Sequence, residues 1–380
     1  MKLVIVAGGT GGHVYPGLAV ADALQKQSSE HTVDWIGTEA GIEARVVPQA
    51  AIPLHLIAIK GLRGKGLVAR LRGMLFLFHA IFSAIALLRE LKPDAVLGMG
   101  GYVAGPVGVA AWLLRVPLVI HEQNARMGMT NRLLARLARR VIWGLPNPME
   151  SQYQKKGARL GNPVRAAFSE MPAPDARLLS RCEEAGYRRR LLVLGGSLGA
   201  SAMNEALPAI CYELANHYSL EVVHQCGQKH LEATIAAYED VGLYPNEAPH
   251  PQATVAIQVL PFVDNLAEYY QWADWVICRA GALTVSELAV AGLGAIMVPY
   301  PHAVDDHQAH NAQSLVAVGA GQIVPQGEAF PARLAAAMKE WVLLDWSELC
   351  QKAQNAQKIA APSAASDIVA LLLEEGKKSC

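Results

Sequence analysis

The chain has 380 residues, 52% of them hydrophobic and 17% charged, with 33 basic and 33 acidic side chains. Balanced charge argues against nucleic acid as a partner, because phosphate binders concentrate Lys and Arg. The length suits two or three domains with cores of their own, and six cysteines without a C-x-x-C pair read as reduced thiols of a cytosolic protein.

Leu3-Val4-Ile5-Val6-Ala7 reads as a buried strand, too short for the apolar region of a signal peptide. It runs into Gly8-Gly9-Thr10-Gly11-Gly12-His13. A strand, a glycine turn and a helix start form an anion site, because first-turn N–H groups lack intrahelical partners and glycine admits a phosphate closely. The dinucleotide fingerprint G-x-G-x-x-G fails here, since from Gly9 it needs glycine where Val14 stands. Asp34, within a second strand at 33–37, keeps a nicotinamide-dependent oxidoreductase as an alternative. His13 suits either a packing role or a general base at a cleft-facing turn. A helix is predicted over 17–27 and a third strand over 55–59.

Gly61–Gly66 carries Arg63 and Lys65 and precedes a helix predicted over 67–90, with Arg70 and Arg72 at its start. Its apolar run 73–88 falls short of the ~20 residues of a membrane span. Two readings stand for 63–88: core packing, or a basic and apolar face with Leu75, Phe76 and Phe82 laid on a membrane surface. The strand 95–99 ends in Gly98-Met99-Gly100-Gly101-Tyr102, a tight turn or a site for a second phosphorylated ligand. After a helix over 104–114, the strand 117–121 ends in His121-Glu122-Gln123-Asn124. Polar residues there emerge at the carboxyl edge, where doubly wound sheets bind ligands. A helix over 129–139 and a strand over 140–144 complete this half.

Pro and Gly interrupt all periodicity between 145 and 190. The pattern then restarts: Leu191-Leu192-Val193-Leu194 enters Gly195-Gly196-Ser197-Leu198-Gly199-Ala200 and a helix over 201–216, in which Pro208 predicts a kink. Strands follow at 220–225, 257–261, 275–279, 295–299 and 322–325, with helices over 283–291 and 308–318. Cys278-Arg279-Ala280-Gly281 leads into Ala282-Leu283-Thr284-Val285-Ser286-Glu287. Glu287 fits a capping box with Thr284, or a carboxylate for ribose hydroxyls. Asp305-Asp306-His307 lacks a companion at metal-ligand spacing, so no metal is expected. The tail, 331–375, is helical with a break at Pro362-Ser363, where Ser363 is placed as a cap. The whole is an α/β chain with two Rossmann-like doubly wound domains facing a cleft.

Seven markers in order carry a family resemblance: Gly8–Gly17, Gly61–Gly66, Leu97–Tyr102, His121–Asn124, Gly161–Arg165, Gly195–Ala200 and Arg279–Glu287. With them the chain resembles, over nearly its whole length, the MurG enzymes of glycosyltransferase family 28. The resemblance implies the GT-B fold. It also implies an inverting transfer of GlcNAc from UDP-GlcNAc to the MurNAc 4-hydroxyl of undecaprenyl-pyrophosphoryl-MurNAc-pentapeptide (lipid I), giving lipid II for peptidoglycan. The domains implied are 1–163 for acceptor and membrane, 164–361 for UDP-GlcNAc, and a helix at 362–380 crossing back to the first domain. Carried over residue by residue, Glu287 would hold the ribose, the main chain at Val263 the uracil, and Ser197 with Arg165 the diphosphate. Ala282, Leu283, Thr284, Val285 and Ser286 would surround phosphate and sugar, with Gln308 on GlcNAc. Thr10, Gly11, Gly12 and Asn124 would complete that site from the first domain. The acceptor would meet Gly100, Gly101 and Tyr102, with His13 as base and Glu122 and His121 as catalytic neighbours orienting it. No cofactor is implied. The implied location is peripheral, on the cytoplasmic face of the bacterial inner membrane, with cell-wall synthesis proteins as partners and a role in cell shape and division. A UDP-GlcNAc epimerase and a non-catalytic nucleotide-sugar sensor are the rival readings. The first predicts turnover of UDP-GlcNAc alone and the second binding without turnover.

Overall fold

Runs of Val, Ile and Leu without alternation suit strands covered on both faces, and both sheets are wholly parallel. The computed structural model describes residues 1–58, 67–182, 187–196, 198–247, 254–301 and 306–378. Gly61–Gly66, Ser197, His302 and Asp305 therefore lie outside the described residues. The chain forms two units, Met1–Arg165 with Ala361–Cys380, and Ala166–Ala360.

The first unit holds β1 (Lys2–Ala7), β2 (Thr32–Gly37), β3 (Leu54–Leu56), β4 (Ala95–Gly100), β5 (Leu118–Glu122), β6 (Arg140–Trp143) and β7 (Gly157–Arg159) in the order β3-β2-β1-β4-β5-β6-β7. The strand order reverses between β1 and β4. A register shift after Val6 sets Val6 opposite Gly98 and Ala7 opposite Gly100. Ile368, Val369 and Leu372 of the last helix, Ala364–Lys377, join the core beside Leu3, Ile5 and Leu24. Arg140 Nε lies 2.8 Å from the buried Glu375 Oε1 and fixes that helix at its far end.

The second unit holds β8 (Arg189–Leu194), β9 (Leu220–Gln225), β10 (Val255–Leu260), β11 (Trp275–Cys278), β12 (Gly294–Met297) and β13 (Gly321–Ile323) in the order β10-β9-β8-β11-β12-β13, reversing between β8 and β11. Cys211, Cys226, Cys278 and Cys350 are buried free thiols here. Burial pushes Cys211 and Cys278 up to about 12, so both stay protonated and unreactive at neutral pH.

Several expectations are corrected. The first helix spans Gly11–Gln27, so Pro16 lies inside it and not before it. A proline so near the N-terminus forfeits one hydrogen bond and leaves the rest of the ladder intact. The helix expected over 201–216 is Ser201–Ala215, with Pro208 buried inside it. Ser363 is the N-cap residue by position, yet its Oγ donates to Asp367 Oδ2 (2.7 Å) and caps no backbone N–H. The short helices Glu43–Gln49, Pro174–Cys182, Leu231–Glu239 and Leu266–Trp272, and the edge strand β7, carry patterns too short or too polar for periodicity to reveal.

Candidate active site

Each unit presents two loops at the carboxyl edge on either side of its switch point, the crevice where open α/β sheets bind ligands. In the first unit these follow β1 and β4. They touch backbone to backbone: a Cβ on Gly101, at φ +84°, would sit 2.3 Å from the Gly8 carbonyl oxygen. Only glycine permits that approach. The helix starting at Gly11 has neither a side-chain cap nor an acid in its first turn, so its N-terminal N–H groups and dipole face the edge uncompensated.

Beneath the turn lies Glu43, fully buried. Its carboxylate accepts from Gly9 N (3.0 Å), Thr38 N (2.9 Å) and Thr38 Oγ1 (2.7 Å). This residue clamps the turn from behind. Its only sequence signal was the glycines packed on it: a Cβ at Gly8, Gly37 or Gly41 would collide with it.

His121 and Glu122 are the last residues of β5 and are buried, where the strand was expected to end at His121 and the polar residues to emerge at the edge. Glu122 accepts from Asn124 N and Nδ2 (both 3.1 Å), Gly128 N (3.0 Å) and Asn131 Nδ2 (3.0 Å). A carboxylate so engaged shapes the 124–128 loop. His121 Nε2 lies 2.9 Å from the Gly161 carbonyl oxygen, and burial lowers its pKa to about 4. The group that touches His13 is Gln123: its Oε1 lies 3.0 Å from His13 Nδ1, and its Nε2 donates to Met99 O at 2.8 Å. Gln123 carries no sequence signal of its own, because an uncharged amide offers no titration to look for. Asn162 Nδ2 donates to Gln123 O (3.0 Å), so the Gly161–Arg165 marker proves to be the support of His121–Asn124. Arg165, Thr10 and Tyr102 are exposed and Gly12 opens to solvent.

In the second unit the turn after β8 is held by Gln225, which receives Gly196 N at Oε1 (3.0 Å) and donates from Nε2 to Gly196 O and Pro261 O (both 3.1 Å). One side chain thus couples the Gly195–Ala200 marker to the loop carrying Val263. After β11, Gly281 is the N-cap of the helix Ala282–Ala291. Thr284 stands inside that helix, so the capping box with Glu287 does not form and the first turn has no side-chain cap. Leu283, Thr284 and Glu287 are partly exposed and Val285 and Ser286 buried, with Ser286 Oγ donating back to Ala282 O at 3.0 Å. Asn311, buried on the helix His307–Ala317, donates to Ala280 O (3.2 Å) and fixes the turn. Gln308 accepts from Tyr300 N through its Oε1 (2.8 Å).

Elsewhere on the first unit, the helix Leu67–Leu91 buries Ala80, Ala84 and Leu88 and exposes Leu75, Phe78 and Phe82. Its Met74–Leu91 stretch has the length and apolarity of a membrane span, beyond the sixteen residues read from sequence, yet the buried face ties it into the folded unit.

Two parallel-sheet α/β units, each with an uncapped helix N-terminus at its switch point, have the architecture of the GT-B class. The comparisons agree. The glycosyltransferase family 28 N-terminal domain matches residues 3–143 and its C-terminal domain residues 190–368. The UDP-N-acetylglucosamine–N-acetylmuramyl-(pentapeptide) pyrophosphoryl-undecaprenol N-acetylglucosamine transferase of Alkalilimnicola ehrlichii is 46% identical, over 99% of both chains. The Pseudomonas putida enzyme of the same name is 47% identical, over 98% of this chain and 97% of that one. The crystal structure of Acinetobacter baumannii MurG aligns with a TM-score of 0.81 at 40% identity, covering 98% of this chain and 99% of that one. The chain belongs to glycosyltransferase family 28.

Proposed function

We propose that this chain transfers GlcNAc from UDP-GlcNAc to the MurNAc 4-hydroxyl of lipid I, with inversion, to form lipid II. What carries the reading is end-to-end identity of nearly half with relatives named for that transfer. The donor binds the second unit. Its diphosphate lies at the N-terminus of Ala282–Ala291, where unpaired N–H groups and the dipole favour the charge that grows on departing UDP. Glu287, one helical turn further and released from a capping role, takes the ribose hydroxyls. Val263 supplies main chain to the uracil, Gln308 meets GlcNAc, and Arg165 and Ser197 add to the diphosphate. On the first unit the acceptor meets Gly100, Gly101 and Tyr102, and Thr10, Gly11, Gly12 and Asn124 line the same edge.

The chemistry is a single displacement. His13 Nε2 takes the proton of the 4-hydroxyl as its oxygen attacks the anomeric carbon, and the bond to UDP breaks on the opposite face. Inversion needs one base and a stabilised leaving group, with no nucleophilic carboxylate. Glu122, already saturated by four donors, suits loop support.

The enzyme works as a peripheral protein on the cytoplasmic face of the inner membrane. The helix Leu67–Leu91 and its neighbours Ala104–Leu113 and Met129–Leu137 expose Leu75, Phe82, Trp112 and Met129, with Arg115 and Arg136 exposed nearby. Apolar contact with added cationic charge suits an anionic leaflet, each basic residue adding ~1 kcal/mol.

One assay tests the function. Purified protein, UDP-GlcNAc and a lipid I analogue are mixed and UDP release is followed with and without the acceptor. Acceptor-dependent release is expected. Turnover of UDP-GlcNAc alone to UDP-ManNAc would make the chain an epimerase, and binding without release would make it a sensor.

A further inference from the structure

We propose that Gln123 is a positioning residue that fixes the ring tautomer of His13, placing the proton on Nδ1 and the lone pair on Nε2. The proposal rests on the reading of His13 as the base. Two backbone carbonyl oxygens, which can only accept, set the directions. Gly161 O, 2.9 Å from His121 Nε2, requires a proton on that nitrogen. His121 is buried and its pKa is lowered to about 4, first by desolvation, so the ring is neutral near pH 7 and its Nδ1 is an acceptor. Met99 O, 2.8 Å from Gln123 Nε2, requires an N–H there. The other amide hydrogen of Gln123 goes to His121 Nδ1, 3.1 Å away. Both donors are then spent, and Oε1 is left facing His13 Nδ1 at 3.0 Å.

An amide oxygen cannot donate, so His13 Nδ1 must carry the hydrogen. Reversing the amide would set its oxygen against the Met99 carbonyl oxygen and leave buried groups unsatisfied, at a cost of ~1–3 kcal/mol. Gly100 closes the ring from the other side: at φ +109°, a Cβ there would stand 2.8 Å from His13 Nδ1. Every hydrogen in the row Gly161, His121, Gln123, His13 therefore has one direction. The row performs, without a charge, the orienting task that a buried carboxylate performs for the histidine of a serine protease.

The titratable groups on the elements around His13 are Tyr15 on its own helix, Tyr102 after β4, His121 and Glu122 at the end of β5, and Glu43 beneath the glycine turn. All remain in Gln123 variants, and of these His121 alone touches the side chain of residue 123, through its Nδ1 at 3.1 Å.

The test is long-range proton–nitrogen correlation on the full chain with nitrogen-15 histidine, near pH 7. His13 signals are assigned by their loss in His13→Asn. The unaltered protein is expected to show a protonated Nδ1 and an unprotonated Nε2. In Gln123→Leu the ring is expected to average between tautomers, with kcat down ~10–10²-fold, part of a general base's contribution, and the KM for UDP-GlcNAc nearly unchanged. Gln123→Glu is expected to move the acidic limb of kcat/KM to higher pH, because a facing carboxylate favours imidazolium. A proton on Nε2 in the unaltered protein overturns the proposal whatever His13→Ala does to turnover. So does a folded Gln123→Leu with tautomer and kcat unchanged. Near-normal turnover in His13→Ala removes the base reading and leaves the tautomer measurement standing on its own.

Discussion

The two switch points share a backbone plan and differ in what lies behind it. Both have a glycine turn, a helix N-terminus without a side-chain cap, and one buried side chain clamping the turn. In the first unit the clamp is the acid Glu43, and a row of ionisable and amide groups follows: His13, Gln123, His121, Glu122. In the second unit the clamp is the neutral Gln225, and the anchor on the other side is the neutral Asn311. Backbone N–H groups suffice to hold an anion. They cannot accept a proton, so proton transfer needs a titratable ring held in one orientation. A carboxylate under a diphosphate would weaken binding, and behind its turns the second unit has the amides Gln225 and Asn311. Under the proposed function, the difference between the units is the difference between moving a proton and holding a leaving group.

The comparison breaks most visibly at His13. His13→Ala is expected to lower turnover ~10²–10⁴-fold, the range for losing a general base, with the UDP-GlcNAc dissociation constant nearly unchanged. Equal losses in both would move the ring into donor binding. Glu287→Ala should do the reverse, weakening donor binding by ~1.5–3 kcal/mol, as for hydrogen bonds involving a charged group, at little cost to kcat under saturation. An unchanged dissociation constant in calorimetry would take Glu287 out of the donor site.

A separate effect, on stability, treats the units alike. His121 in the first and His224 in the second are buried, with pKa values lowered from 6.5 to about 4 and about 3 by desolvation. Each unfolded chain takes up a proton that the folded one refuses. The stability is fully present above pH 6.5 and is lost as pH falls toward those lower values, by ~1.4 kcal/mol per pKa unit at most. Urea midpoints measured from about pH 7 to pH 5 should fall steadily, and a flat profile would contradict the burial of both rings. The smallest effect comes from exchanging the clamps. Gln225→Glu should weaken UDP binding ~10-fold by adding charge and removing two donors. Glu43→Gln should leave UDP binding alone and lower the melting temperature by a few degrees. The opposite pattern would reverse the assignment of donor and acceptor to the two units.

Much of this was legible beforehand because the signals are local. Apolar runs ending in glycine announce parallel strands and their carboxyl-edge turns, and the six markers among the described residues fall on those turns or on their supports. What stayed hidden was who stands behind each turn. Glu43, Gln225 and Asn311 come from helices and strands distant in sequence, and their residue types raise no alarm. Glu122 drew attention as an acid at a strand end, yet four donors converge on it only after the 124–131 loop folds back. The Thr284–Glu287 spacing satisfied a capping box, and the helix began two residues earlier.

By itself the order of residues determined the parallel sheets, the glycine turns and the family, since each depends on patterns within a few residues or on whole-chain likeness. Folding alone decided the direction of each hydrogen bond along His121, Gln123 and His13 and the buried clamp under each turn. Those depend on backbone carbonyls and side chains brought together from distant segments, and no local spacing encodes such a meeting.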